Sequence, residues 1–273
     1  MADSPFISGT IGKAVGARLR QEDDRIVVEE PLELRLGRTP IAVTMRTPGE
    51  DRELAAGFLL TEGIIRKFSD IEKITGPVRR LPNVVSIKLR RGLRFRRDRL
   101  MRHFHATSSC GLCGKTTLES IRVRTQPVSA DFKVSLKFFY ALPEHLREAQ
   151  DTFEETGGLH AAALFDAEGT LLLLREDVGR HNAVDKLIGA ALMQSRFPLD
   201  RCILLVSGRA SFEILQKALV ARVPVVAAVS APSSLAIALA RKFGMTLIGF
   251  LRGESCNVYA GAERVDGDPG NQG

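Results

Sequence analysis

Tryptophan is absent from this 273-residue chain and tyrosine occurs only twice, so the aromatic platforms on which single-stranded bases stack are poorly provided for. Cysteine is scarce as well. The four cysteines, at positions 110, 113, 202 and 256, are too few for a disulfide framework in a chain long enough to build an ordinary core, and this usage points to a reducing compartment, the cytoplasm. No uninterrupted apolar run approaches the span of a bilayer, and Met1 to Arg20 lacks the basic, apolar, small-residue order of a secretory signal. Neither membrane insertion nor export is expected.

What is present suits a soluble protein of one or two domains, with 44% hydrophobic and 26% charged residues. A formal charge of +7 calls for an acidic partner: nucleic acid, a phosphorylated small molecule or the acidic face of another protein. Much of the excess lies in one run, Arg90, Arg91, Arg94, Arg96, Arg97, Arg99 and Arg102, which a solvated strand face explains as well as a binding role does. With so few aromatic residues, nucleic acid is the least expected partner.

The run leads into Cys110-Gly111-Leu112-Cys113-Gly114. Thiolates, not thiols, are the nucleophiles and metal ligands, and a cysteine becomes one at neutral pH in an electropositive, partly open setting. The arginines, His103 and His105 supply positive charge before the pair, and Lys115 to Ser120 could open a helix whose N-terminus favours an anion. Other uses of the pair compete. A lone disulfide adds little in a chain of this size. His103, His105, Cys110 and Cys113 together make four ligands, the number a closed zinc site requires, which would suit a zinc-stabilised, non-catalytic chaperone that binds a cofactor. A thioredoxin-type redox pair ranks last, because no early strand, Cys-x-x-Cys, long helix unit is evident.

Along the chain, Arg25 to Met45 reads as a hairpin from the alternation of Leu32, Leu34 and Leu36 and then Ile41, Val43 and Met45. A helix after Pro48-Gly49-Glu50-Asp51 carries Leu54, Phe58, Ile64 and Ile65, although Gly57 and Gly63 weaken it. Val85, Ile87 and Leu89 form a strand. Residues 1–125 are therefore read as a smaller α+β N-terminal domain. From 126 to 264 the pattern is α/β: a helix from Pro143 to Glu155 stopped by Gly157-Gly158, a hairpin of 161–165 with 171–174, then helix 182–193, strand 202–206, helix 212–220, strand 225–229, helix 235–243 and strand 246–250. Apolar strands between helices predict a mostly parallel sheet covered on both faces. Residues 265–273, rich in Gly, Asp and Pro, read as a disordered tail.

In such a sheet ligands bind beyond the carboxyl ends of the strands. Ser207-Gly208-Arg209-Ala210-Ser211, Ser230-Ala231-Pro232-Ser233-Ser234 and Arg252-Gly253-Glu254-Ser255 stand at three such ends and combine small residues with phosphate donors, which implies an extended phosphorylated ligand. Glu176-Asp177-Val178-Gly179-Arg180-His181-Asn182 is a dense polar run before a helix. Caps and local ion pairs account for it, or Arg180 and His181 meet an anion while Asp177 or Asp185 orients a polar ring. His181 and His160 are candidate acids or bases, though lone histidines are usually structural.

Glu30-Pro31-Leu32, Gly57 to Ile65, Ser109 to Gly114, Glu176 to Lys186, Ser207-Gly208-Arg209 and Phe250-Leu251-Arg252, in this order, resemble the formate dehydrogenase accessory sulfurtransferases of the FdhD/NarQ family. The resemblance implies a sulfurtransferase. A cysteine desulfurase would load sulfane sulfur on Cys110, with Cys113 as auxiliary thiol, for delivery to the molybdenum of a bis(molybdopterin guanine dinucleotide) cofactor destined for formate dehydrogenase. Phe250, Leu251, Arg252, Gly253, Glu254 and Ser255 match the family's cofactor-binding segment. The resemblance also implies a homodimer and a cytidine-deaminase-like three-layer core. Deaminase chemistry does not follow, since His160-Ala161-Ala162 lacks the glutamate of that zinc site and no Pro-Cys-x-x-Cys follows.

Overall fold

A computed structural model describes residues 4–93, 125–129, 131–150 and 155–267. It opens with an antiparallel ribbon of β1 (Phe6–Val15) and β2 (Arg18–Val27). Next come β3 (Glu30–Leu36), β4 (Thr39–Arg46), α1 (Asp51–Thr61), β5 (Ile71–Thr75) and β6 (Val84–Leu89). The strands form a four-stranded sheet in the order β4-β3-β6-β5. The alternation of Leu32 and Leu34 against charged neighbours makes β3 half-buried, and α1 covers the apolar face.

Beyond it lie β7 (Val134–Ser135), α2 (Leu136–Glu148), β8 (His160–Asp166), β9 (Leu171–Asp177), α3 (Arg180–Met193), β10 (Cys202–Val206) and α4 (Phe212–Val220). The chain closes with β11 (Val225–Ala228), α5 (Ser234–Phe243), β12 (Thr246–Arg252), β13 (Ser255–Ala260) and β14 (Val265–Asp266). Six strands pair in the order β13-β12-β11-β10-β8-β9. Side chains two apart along each strand divide between two cores. Ala161, Ala163, Phe165, Ile203, Leu205, Val225 and Ala227 pack with Phe139, Leu142 and Leu146 of α2. Ala162, Leu164, Leu204, Val206, Val226 and Ala228 pack with α3, α4 and α5, in a core that continues through α1 to Leu32, Leu34 and Val85 of the four-stranded sheet. No helix among the described residues is long and apolar enough to cross a membrane.

The sheet is mixed, not mostly parallel. Only β10, β11 and β12 run parallel; β8, β9 and β13 join through antiparallel pairings. Burial on both faces gives the hairpin strands the continuous apolar sequence that usually marks a parallel sheet. The helix expected over 143–155 runs instead from Leu136 to Glu148, with Pro143 inside it. The Ser135 hydroxyl accepts from the Phe138 N–H at 3.2 Å, and Phe139, Leu142 and Leu146 are buried at helical spacing. This burial, with the cap, outweighs the roughly 3 kcal/mol that an internal proline costs. Val265 and Asp266, read as tail, pair with Val134 and Ser135; residues 268–273 lie outside the description. The division expected at 125 and 126 falls at the end of the undescribed stretch 94–124.

Helices α1 and α3 cross backbone against backbone. A Cβ on Gly57 would lie 1.8 Å from the Asp185 carbonyl oxygen, and one on Gly189 would lie 1.8 Å from that of Glu53. The glycine that weakened the helix as a propensity signal is what this crossing requires, while Gly63, at φ +70°, is the left-handed residue after the helix end. Because backbone obstructs the new methyl, Gly57→Ala and Gly189→Ala should each cost about 3 kcal/mol in urea unfolding, the upper end of overpacking losses. A loss below about 0.5 kcal/mol would show that the crossing is not tight.

Candidate functional site

The carboxyl ends of β10, β11 and β12 share one edge of the sheet, and the antiparallel pairing of β8 brings His160, its first residue, to the same edge. His160 faces Asp177 at the end of β9, and α3 begins three residues later. Ser207 is fixed to β8 twice: its N–H donates to the Ala161 carbonyl at 3.0 Å, and its Oγ accepts from the Ala161 N–H at 2.9 Å. Gly208 passes so close to His160 that an added Cβ would sit 3.3 Å from Nδ1, and 4.0 Å from Cδ of Arg180. His181 Nε2 lies 3.4 Å from Oγ of Ser211, which caps α4 by accepting from the Ile214 N–H. His160, Arg180, His181, Gly208 and Ser211 thus form one cluster.

A second cluster adjoins it through Ala210, whose carbonyl accepts from the Ser233 N–H at 3.0 Å and which bridges to Pro232. There the Phe250 N–H donates to the Ser230 carbonyl at 3.3 Å. A β-bulge between Gly249 and Arg252 puts Phe250 at φ +54°, a left-handed conformation that strains a bulky residue, and leaves its side chain 40% exposed. Strain of this kind persists where surrounding structure enforces it, and it concentrates at ligand sites. Arg209, Arg252, Gly253, Glu254 and Ser255 are exposed, whereas Leu251 is fully buried in the α2-side core and offers a ligand only its backbone.

The polar run from Glu176 to Lys186 divides by function. Asp177, fully buried, accepts from the N–H groups of Thr47 (3.2 Å) and Gly179 (2.8 Å) and from Asn182 Nδ2 (3.0 Å), and pairs with Lys186 Nζ at 3.0 Å. Lys186 also donates to the Thr47 carbonyl, and Asn182 to that of Met45. Asp185 takes Lys217 Nζ on both oxygens, at 2.9 and 2.7 Å, and the Thr61 hydroxyl at 2.8 Å. These groups bind the two sheets together, so neither Asp177 nor Asp185 is available to orient a ligand. Arg180 and His181, half-buried at the start of α3, face the edge.

Two side-chain atoms are buried without a hydrogen-bond partner among the described residues: Nε of Arg180 and Oε1 of Glu213, in the first turn of α4. Both belong to this edge by position. An unpaired guanidinium N–H beside two helix N-termini and the bare backbone of Gly208 is suited to an anion. Sequence reasoning left Glu213 out of the site and gave His160 little weight; a histidine opening an otherwise apolar strand was the available signal.

Of the four cysteines, the two described ones are poor nucleophiles. Burial, reinforced by Asp200 and Asp166, pushes the Cys202 thiol up to about 11, and burial raises that of Cys256. Cys110 and Cys113, with His103, His105 and the arginines from 94 onward, lie outside the described residues. No metal-binding cluster of His, Cys, Asp and Glu occurs among the described residues.

These features define a mixed α/β protein with a basic, glycine-lined edge at its parallel strand ends. The sequence profile of the FdhD/NarQ family matches residues 27–266, and the chain belongs to that family. It is 53% identical over 251 residues to a Streptomyces coelicolor protein named sulfur carrier protein FdhD, covering 89% of each chain. It is 51% identical over 264 residues to a Mycolicibacterium paratuberculosis protein of the same name, covering 94% of this chain and 95% of that one. A crystal structure described as a formate dehydrogenase accessory protein of Desulfotalea psychrophila shares the fold, with a TM-score of 0.77 at 23% identity, over 96% of this chain and 100% of the other.

Burial lowers the pKa of His160, and the neighbouring Arg180 lowers it further against the opposing pull of Asp177. The folded state therefore favours neutral imidazole, and unfolding takes up a proton as pH falls below the ordinary 6.5. Stability from this group is complete above 6.5 and is lost on acidification. His160→Gln should flatten the decline in urea stability between about pH 7 and 5 relative to the parent. Parallel curves would contradict the assignment.

Proposed function

We propose that the chain is a sulfur carrier acting for a molybdenum-dependent formate dehydrogenase. Sulfane sulfur from a cysteine desulfurase is taken up on Cys110 and delivered to the molybdenum of bis(molybdopterin guanine dinucleotide), held as substrate at the strand-end edge. Membership of the FdhD/NarQ family and the names of its half-identical relatives support the class of activity. The observation that carries the choice of residues is chemical: burial holds the thiols of Cys202 and Cys256 protonated, which leaves the Cys110 and Cys113 pair, behind its arginine run, as the thiols suited to attack.

In the loading step the Cys110 thiolate attacks the terminal sulfur of the donor's persulfide, the donor S–S bond breaks, and the donor cysteine leaves as thiolate. Delivery as sulfide needs two electrons. Cys113 can supply them by closing a disulfide with Cys110 as hydrosulfide departs, after which an external dithiol restores the pair. At the edge, Arg180, His181, Ser207, Gly208, Arg209 and Ser230 hold the phosphates, and Phe250 to Ser255 line the guanosine end. The Arg180 guanidinium, half-buried at the start of α3, is suited to a phosphate oxygen. A cytidine-deaminase-like plan for residues 126–264, behind a smaller N-terminal unit, and a cytoplasmic location complete the reading.

Intact-mass analysis after incubation with a cysteine desulfurase and cysteine tests it. A gain of one sulfur atom is expected on the parent and on Cys113→Ala, and none on Cys110→Ala, which should also fail to activate formate dehydrogenase. An unmodified parent, or loading undiminished in Cys110→Ala, would overturn the assignment.

A further inference from the structure

The imidazole of His160 stands at the strand-end edge with its hydrogen-bonding capacity unused. It makes no hydrogen bond among the described residues, although it is only half-buried and neither ring nitrogen is sealed from solvent. Its place is fixed by backbone: His160 opens β8 opposite Asp177 of β9, and residues directly opposite in an antiparallel pair share a face, here the face that α3 covers. Gly208 supplies the open side. A Cβ there would lie 3.3 Å from His160 Nδ1, 3.4 Å from its Cε1 and 4.0 Å from Cδ of Arg180, so both side chains converge on bare backbone that a ligand can approach.

The charges around the ring decide its protonation. On β9, Asp177 is paired with Lys186 at 3.0 Å and accepts from the N–H groups of Thr47 and Gly179. Glu176 lies on the other face of the sheet, where Gln150 donates to it at 3.3 Å. Helix α3 contributes Arg180 and His181, the latter 3.4 Å from Ser211, and the loop after β10 adds the exposed Arg209. Positive charge therefore outweighs negative, and burial together with Arg180 holds the imidazole neutral against the pull of Asp177. An anion laid across Arg180 reverses that balance. Resting on the nucleotide reading of this edge, we propose that His160 is a phosphate-binding residue that protonates as the cofactor's pyrophosphate arrives, so that binding takes up a proton from solvent. The contact formed is a charge-assisted hydrogen bond from the imidazolium N–H to a phosphate oxygen. In the free protein the neutral ring spares the edge a second cation beside Arg180. Free, the group titrates below the ordinary 6.5; bound, beside phosphate charge, it titrates higher. Between those two values a proton enters with the ligand, and affinity rises as pH falls.

Isothermal titration calorimetry of the full chain with guanosine diphosphate mannose tests this. The pyrophosphate of that probe is a diester with no phosphate that titrates near neutrality, so a proton taken up on binding belongs to the protein. At about pH 6.5, compared in two buffers of different ionisation enthalpy, the parent should take up roughly half a proton or more per ligand, and its affinity should rise about threefold or more from pH 8 to pH 6. Both effects should vanish in His160→Gln, with near-ultraviolet circular dichroism showing whether the fold is kept, and both should persist in His181→Gln. Binding by the parent without proton uptake would overturn the proposal and leave the nucleotide site standing, whereas no binding at any pH would overturn both. Uptake that survives in His160→Gln, or that is lost in His181→Gln instead, would also overturn it. The proton count of the parent decides the matter even if neither variant folds.

Discussion

Everything at the strand-end edge depends on how α3 is held. Gly189 lets its middle turns meet α1 at Gly57 with backbone in contact, and Asp177, Asn182 and Lys186 tie its first turns to the strand and loop that precede α1. Fixed at both levels, the helix delivers Arg180 and His181 to the same edge as Gly208 and Ser211. The two sheets consequently share one core, and the position of the edge relative to the N-terminal sheet is set by a crossing that tolerates no methyl group.

Polar groups complete what the glycines begin. Lys186 is 1% exposed and Asp177 fully buried, and each spends its hydrogen bonds on backbone of the opposite half as well as on the other. Buried pairs of this kind add little net stability over an apolar replacement, yet breaking one by removing a partner leaves an uncompensated charge. Their contribution here is register: Asp185 with Lys217 and Thr61 joins α3, α4 and α1 in the same way, one turn further along. Conversely, the edge keeps a donor on Arg180 that is unpaired among the described residues and a strained Phe250.

Much of this was legible in the sequence and some was not. Continuous apolar segments located β8, β10, β11 and β12, and the segments of small residues after the last three stand together at one edge of the sheet. Strand direction was hidden, because burial on both faces gives Ala161 to Phe165 the same composition whether its neighbour runs parallel or antiparallel. The helix start at Leu136 was hidden by Pro143, whose propensity signal is local while the packing of Phe139 and Leu146 is not. The β1 and β2 ribbon buries little, so it carries no hydrophobic alternation to read. In the Glu176 to Lys186 run the residue types were visible, but which of them turned inward was decided by Thr47 and Thr61, more than a hundred residues away in sequence.

On the proposed function, sulfur chemistry and ligand binding fall to separate parts of one chain, with the half-buried thiols of Cys202 and Cys256 held protonated and the strand-end edge kept rigid by the α1 and α3 crossing. Amide hydrogen exchange with and without guanosine diphosphate tests the central claim, that this edge holds the nucleotide end of the cofactor. Protection gathered at the segments around His160, Arg180, Gly208, Ser230 and Phe250 is the predicted result; protection elsewhere, or none at saturating nucleotide, would contradict it.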